Sequence, residues 1–369
     1  MRSERTFVQW QSFLGFLAFL SLIGAWLVSS ETAIGAAKAS LSLCGEVLIP
    51  ALFPFFVLSQ LFIRRGYDRY LTALLRPVMG PVFGLPAEGA GALVLGSVGG
   101  YPVGASAAFA LYDRSLLTAG ETARLLAFCN NAGPSFVFGV VGAGLFHSTA
   151  IGARLLLVHL LAALAAGSAL RFLPAAQPPF PSPPRSSAPA AAREAEPFTQ
   201  SLVAAVSAAL GSILSVCAYV TFFGVLVAFA RQSGVFLLPA VWLGRLFSVG
   251  SGAGGALLTG AAELSSGIAA LGSVSCPVPA LLSAASFLLG WGGACVHCQV
   301  LALRGLRPVS LKPYLLGKLT QGVLAAVLIQ LSSHFRLSAV VFLAAAATAL
   351  PAVPGLFKNR SGKIRERGI

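Results

Sequence analysis

Residues 202–230 read LVAAVSAALGSILSVCAYVTFFGVLVAFA, without one charged side chain. That run is longer than the ~20 apolar residues with which a helix crosses a bilayer core. In water it would expose apolar surface on every side, whereas in lipid a helix satisfies all its backbone groups internally. Similar runs at 10–29, 41–62, 125–146, 154–172, 280–303, 314–333 and 337–356 predict an all-α polytopic membrane protein of about eight transmembrane helices. Hydrophobic types make up 57% of the 369 residues and charged types 10%, against about 25% charged in soluble domains. A soluble globular enzyme is excluded on that ground. Arg2 and Arg5 precede the run from Trp10 to Val28; no small-residue cleavage pattern follows it directly, so the sequence predicts a retained first helix.

Two further apolar segments, about 89–111 and 250–271, contain GSVGGYPVGAS and SGAGGALLTGAAELSSG. So much glycine argues against straight spans and for re-entrant helical hairpins that enter and leave on one side. Between 174 and 199 the chain is PAAQPPFPSPPRSSAPAAAREAEP, a composition that reads as a disordered linker. The predicted organisation is an N-terminal helix (1–40), a first membrane repeat (41–173), the linker (174–199), a second repeat (200–335), and a last helix with a basic tail (336–369). Each repeat reads helix, glycine-rich hairpin, helix, helix, the order of elements of an internal repeat.

The formal net charge of +14 would invite a nucleic-acid partner in a soluble protein, but here it first has to be placed about a bilayer. With both termini cytoplasmic and both hairpins re-entrant, every basic residue except Lys38, Arg154, Arg231, Arg245 and Arg336 falls on the cytoplasmic side, Lys318 among them. The same trace sends the two hairpins in from opposite faces. An inverted repeat of this kind is the architecture of many secondary transporters.

Glu263, in TGAAELSSG, is an acidic residue inside an apolar segment, which insertion scales put at roughly 2.5–3.5 kcal/mol and which is therefore a functional candidate. Ser265 and Ser266 beside it supply hydroxyls, and Gly267 is the expected helix break. At the first hairpin the candidates are Gly99, Gly100, Tyr101, Pro102 and Gly104, where glycine and proline interrupt a helix and free backbone amides to hold an anion. Asn130, Asn131 and Ser135 flank Pro134 in NNAGPS, either as a polar lining at the midplane or as an interfacial turn. Gly292, Gly293, His297 and Gln299 occupy the corresponding place in the second repeat.

The six cysteines lie in or beside apolar stretches and read as small buried hydrophobes. Cys295, His297 and Cys298 spell CVHC, but a c-type haem needs the histidine after the second cysteine, and no other ligand cluster completes a zinc site. G-x-S-x-G, H-E-x-x-H and phosphate-loop strings are absent. Transport without covalent chemistry, metal or cofactor is therefore expected. The bilayer and a small-molecule solute are the expected partners, with a homo-oligomer and the coupling cation, proton or sodium, left open.

The strings IPALFPFFVLSQLF, GSVGGYPVGAS, ETARLLAFCNNAGPSFVFGVVG, AAELSSG and LLGWGGACVHCQV resemble, in order and spacing, the YlbJ-type sporulation integral membrane proteins, relatives of the nucleoside-recognition (gate) families. The resemblance runs from about Leu41 to His334. Its most specific element is GGYPVGA followed by Arg124, Phe128, Asn130 and Pro134. It implies a transporter of dipicolinic acid through the mother-cell-derived outer forespore membrane, and a fold similar to concentrative nucleoside transporters, where hairpin tips and a glutamate hold the solute. An ionised Glu263 would repel that dianion, so the resemblance implies that Glu263 is protonated, pairs with a cotransported cation or faces the ring nitrogen. The alternatives are a permease for nucleosides or other small solutes, and a membrane assembly factor that moves nothing.

Overall fold

The computed structural model of the chain describes residues 2–172, 197–246 and 250–334. Among these residues all regular structure is helical. Helix α1 (Arg2–Val28) is followed by α2 (Ser30–Leu43) and α3 (Ile49–Arg64), which a π-type turn joins into one 35-residue helix, Ser30–Arg64. Next come α4 (Asp68–Val78), the hairpin pair α5 (Gly89–Gly99) and α6 (Val103–Asp113), then α7 (Ala119–Cys129), a π-type segment (Phe136–Leu145) and α8 (Thr149–Ala169). The order then recurs: α9 (Phe198–Gln232), α10 (Leu237–Leu246), the hairpin pair α11 (Gly250–Ala262) and α12 (Leu264–Gly272), then α13 (Val278–Trp291), α14 (Ala294–Arg304) and α15 (Lys312–His334). Both halves thus run long helix, short helix, hairpin, broken helix, long helix.

Five helices among the described residues are long and apolar enough to cross a membrane: Ser30–Arg64, Thr149–Phe172, Phe198–Gln232, Val278–Arg304 and Lys312–Ser332. The expected span at 337–356 and nearly all of the 174–199 linker lie outside the described residues. The span expected at 125–146 is not one helix. It stops at Cys129, where Asn130 turns extended (φ −97°, ψ 94°) and Pro134 cannot donate to the next turn, and it resumes at Phe136. The helix expected from residue 41 begins at Ser30, and α4 and α10 were not foreseen because neither reaches the length of a span.

The outer faces are apolar. Val203, Leu210, Leu214 and Phe222 on α9 and Leu315, Leu319, Val323 and Val327 on α15 are all exposed, a belt that water would not tolerate and lipid would. Inside, α3 packs on α9 and α8 on α15, and one central cluster joins Leu52, Val137, Ile213, Ile268, Leu288 and Ile329 from both halves. Helix α7 starts on a capping box: Thr118 Oγ1 accepts from the Glu121 amide and the Glu121 carboxylate accepts from the Thr118 amide. Cys44, Cys129, Cys217 and Cys295 are buried as expected, whereas Cys298 is exposed and Cys276 half-buried.

At one end of the molecule, the base of the first hairpin meets the loop after α14. The Arg307 guanidinium grips Asp113 with two bonds of 2.7 and 2.6 Å and holds its carboxyl below the usual carboxylate range. A group whose folded pKa is depressed stabilises above its unfolded value, about 3.9, and that contribution is lost as pH falls through the folded value. Because the pair is half-exposed, Asp113→Asn is expected to cost less than about 1 kcal/mol, read as a small fall in melting temperature that vanishes at acidic pH. Also placed in this region by the charge trace, Arg124 and Arg171 donate to the carbonyls of Gly84 and Pro81. Lys318 does not lie there. It is fully buried on α15, so its place in the cytoplasmic tally is corrected.

Candidate functional site

Each half carries two helix interruptions, one at a hairpin tip and one in a broken helix. Every interruption strands backbone donors and acceptors that the helix would otherwise have paired. In the first half the hairpin tip is Gly100-Tyr101-Pro102, with Gly100 at φ +75°; a side chain there would come within 2.9 Å of the Gly133 amide nitrogen in the break of the same half. In the second half the tip is Glu263 itself. Gly267, expected to be the break, lies inside α12 and lets that helix touch Gly260 of α11. The second broken helix turns at Gly292 and Gly293, both at φ +88°, a conformation that side chains resist.

The stranded groups are paired across elements. Glu263 caps α12, its Oε1 accepting from the Ser265 amide at 2.9 Å and its Oε2 from the Ser266 amide at 2.6 Å. Trp291 Nε1 donates to the Ala261 carbonyl at the end of α11. Tyr101 Oη crosses from the first half to donate to the Leu289 carbonyl, at the end of α13, at 2.8 Å. In the first break Lys318 Nζ donates to the Asn130 carbonyl at 2.8 Å and Asn131 Nδ2 to the Phe128 carbonyl. His159 Nε2 accepts from the Ala132 amide at 3.1 Å, which fixes that ring nitrogen as unprotonated. Tyr101→Phe removes one such bond and leaves the Leu289 carbonyl unpaired; a loss of about 1 kcal/mol is expected in thermal unfolding of the detergent-solubilised protein.

Three of the four interruptions line one pocket, and the helix that follows the fourth closes it. Gly100 and Tyr101 come from the first tip, Gly133 and Ser135 from the first break, Glu263, Leu264 and Ser265 from the second tip, and Cys295 and Gln299 from the helix after the second break. Leu52, Phe56, Val216 and Val220 from the two 35-residue helices supply apolar walls. Glu263 is 1% exposed. Both its oxygens are engaged by the α12 amides, at the positive end of that half-helix.

Of the residues singled out in the sequence, Gly100, Tyr101, Ser135, Glu263, Ser265 and Gln299 line this pocket. The remainder support it from behind. Gly104 packs on the Cys129 carbonyl, Gly99 on Val103, and Pro102 caps α6. Gly292 abuts the Tyr101 hydroxyl, Ser266 holds Glu263, and His297 Nδ1 pairs with Tyr314 Oη at 2.8 Å. Asn130 and Asn131 are fully buried in the first break. Glu46 stands apart, exposed and bonded to Ser42. Sequence reasoning missed the apolar walls and the polar trio His159, Lys318 and Gln321. The signal was present in KPYLLGKLTQGVLAAVLIQL, where a lysine and a glutamine three residues apart share one face of an apolar helix.

A family model described as Gate, nucleoside recognition, matches residues 46–149, the stretch holding the first hairpin and the first break. Over 328 residues the chain is 30% identical to the sporulation integral membrane protein YlbJ of Bacillus subtilis (strain 168), a match spanning 85% of this chain and 80% of that protein. The chain belongs to the YlbJ family of sporulation integral membrane proteins. No solved structure matches it. Within this family the present chain is a multi-pass membrane protein with a largely apolar pocket, carrying a few polar groups, where its hairpin tips meet.

Proposed function

We propose that this YlbJ-family protein is a transporter that carries a small anionic solute, dipicolinate, through the outer forespore membrane, binding it between the two hairpin tips. The observation that carries this reading is the convergence on one pocket of both hairpin tips, the first helix break and the helix that follows the second break, which is how broken-helix transporters build a site at the bilayer midplane. The pocket's walls suit a flat aromatic acid: Phe56, Phe136 and Tyr101 offer ring and aliphatic contact, and Ser135, Ser265 and Gln299 offer hydrogen bonds to carboxylates. Glu263, engaged by two amides, leaves a pocket less repellent to a dianion than a free carboxylate would.

The halves, residues 30–172 and 197–334, act as two gate-like repeats of inverted topology. Support comes from the hairpin bases. Asp113, at the base of the first, is near the start of α7 and pairs with Arg307, while Gly272, at the base of the second, packs against Leu145 at the far end of that broken helix. With cytoplasmic termini, the first base faces the cytoplasm. Equilibrium binding of labelled dipicolinate to the purified full-length protein tests the assignment. Binding that unlabelled dipicolinate displaces and uridine does not is expected; displacement by uridine would favour a nucleoside permease, and no binding of either would favour an assembly role.

A further inference from the structure

Lys318 is fully buried on a helix whose one other charged residue is Lys312 at its start, and a charge at membrane depth is retained only where something compensates it. No carboxylate does so: among the described residues the salt bridges join other partners. Its titratable neighbours are Tyr101, Cys129, His159 and His297. Instead the Lys318 Nζ sits among neutral oxygens, the Asn130 carbonyl at 2.8 Å and Gln321 Oε1 at 2.6 Å, with the Tyr101 ring 5.5 Å away, within cation–π range. Gln321 also donates to Asn131 Oδ1 at 3.0 Å. The carbonyl end of α7 is therefore wrapped by the Lys318 amine and its supports, and the buried Asn130 carboxamide beside it has neither Oδ1 nor Nδ2 paired among the described residues.

The location gives the arrangement its meaning. The end of α7 is the negative pole of a half-helix with unpaired carbonyls, and unwound carbonyls at half-helix ends are where broken-helix transporters coordinate sodium ions or protons. The matching end in the second half, at Leu289, is satisfied by a neutral hydroxyl. We propose that the Lys318 ammonium is the resident cation of the first helix break, occupying the oxygen cage that a dissociable monovalent cation would otherwise need to fill. Solute movement through this protein therefore requires no sodium at that break. The coupling half of this claim rests on the transporter reading above; the cage itself does not.

Two kinds of measurement on the full-length protein separate them. In detergent, the wild type is expected to melt at the same temperature in sodium chloride and in choline chloride at equal concentration. Lys318→Ala, which vacates the cage, is expected to melt lower in choline and to recover part of the loss in sodium or ammonium chloride. In proteoliposomes, wild-type dipicolinate flux is expected to be unchanged when choline replaces sodium on both sides, and Lys318→Met, neutral and of similar length, to fall at least about tenfold. A wild-type melting temperature or flux that rises specifically with sodium, a Lys318→Ala protein that ignores both cations, or a Lys318→Met protein with wild-type flux would overturn the proposal. Should the wild type move no dipicolinate at all, the transport reading fails while the melting experiments still decide the role of Lys318; the wild-type arms need no variant to fold.

Discussion

Glu263→Ala protein, inserted and folded, is expected to move dipicolinate at no more than about a tenth of the wild-type rate. The carboxylate pairs two amides, those of Ser265 and Ser266, at a hairpin tip that is buried from solvent. Removing it strips α12 of its N-cap and leaves two donors without acceptors, the buried Ser265 amide and the part-buried Ser266 amide, at a cost of about 1–3 kcal/mol for a buried one. Since each 1.4 kcal/mol is a tenfold change in population, the tip should spend most of its time out of the geometry that closes the pocket. Glu263→Gln keeps one acceptor oxygen and should fall between the two. Initial rates in vesicles at matched protein density distinguish the three, and wild-type flux from Glu263→Ala would remove this residue from the site.

A marked loss of stability is expected from Gly104→Ala. A methyl group at Gly104 would collide with the Cys129 carbonyl and come within 2.9 Å of the Gly96 Cα. Both obstacles are backbone, so neither can rotate away, and overpacking of this kind costs about 1–3 kcal/mol or more. The consequence reaches the site, because α5, α6 and the end of α7 touch through these two glycines, and that contact sets where Gly100 and Asn130 lie. Gly255→Ala is the control: it is helical with nothing within 4 Å of the added carbon, and should be neutral or stabilise by up to about 1 kcal/mol. Thermal unfolding in detergent should show a marked fall for Gly104→Ala and none for Gly255→Ala; equal melting temperatures would mean that the hairpin legs are not packed this closely.

The long apolar runs made the membrane class legible, since length and absence of charge suffice for a spanning helix. The hairpins were legible from glycine and proline, and Glu263 from its rarity in such surroundings. Harder to read was which interruption breaks a helix and which permits contact. Gly267 and Gly104 look like breaks in the sequence, yet each lies within a helix against backbone, whereas NNAGP, read within a span, ends one. Lys318 shows the limit most plainly. Six residues into α15 and inside the 314–333 run, it counts with the cytoplasmic charges in the sequence, and its burial depends on Asn130, distant in the chain, as well as on Gln321 one turn away.

The central claim, that the pocket between the hairpin tips carries dipicolinate, is tested most directly by the initial rate of labelled dipicolinate entry into proteoliposomes of the full-length protein. The account predicts saturable entry above that of protein-free vesicles, suppressed by unlabelled dipicolinate and indifferent to uridine. Entry no faster than into empty vesicles, or entry suppressed equally by uridine, would contradict it.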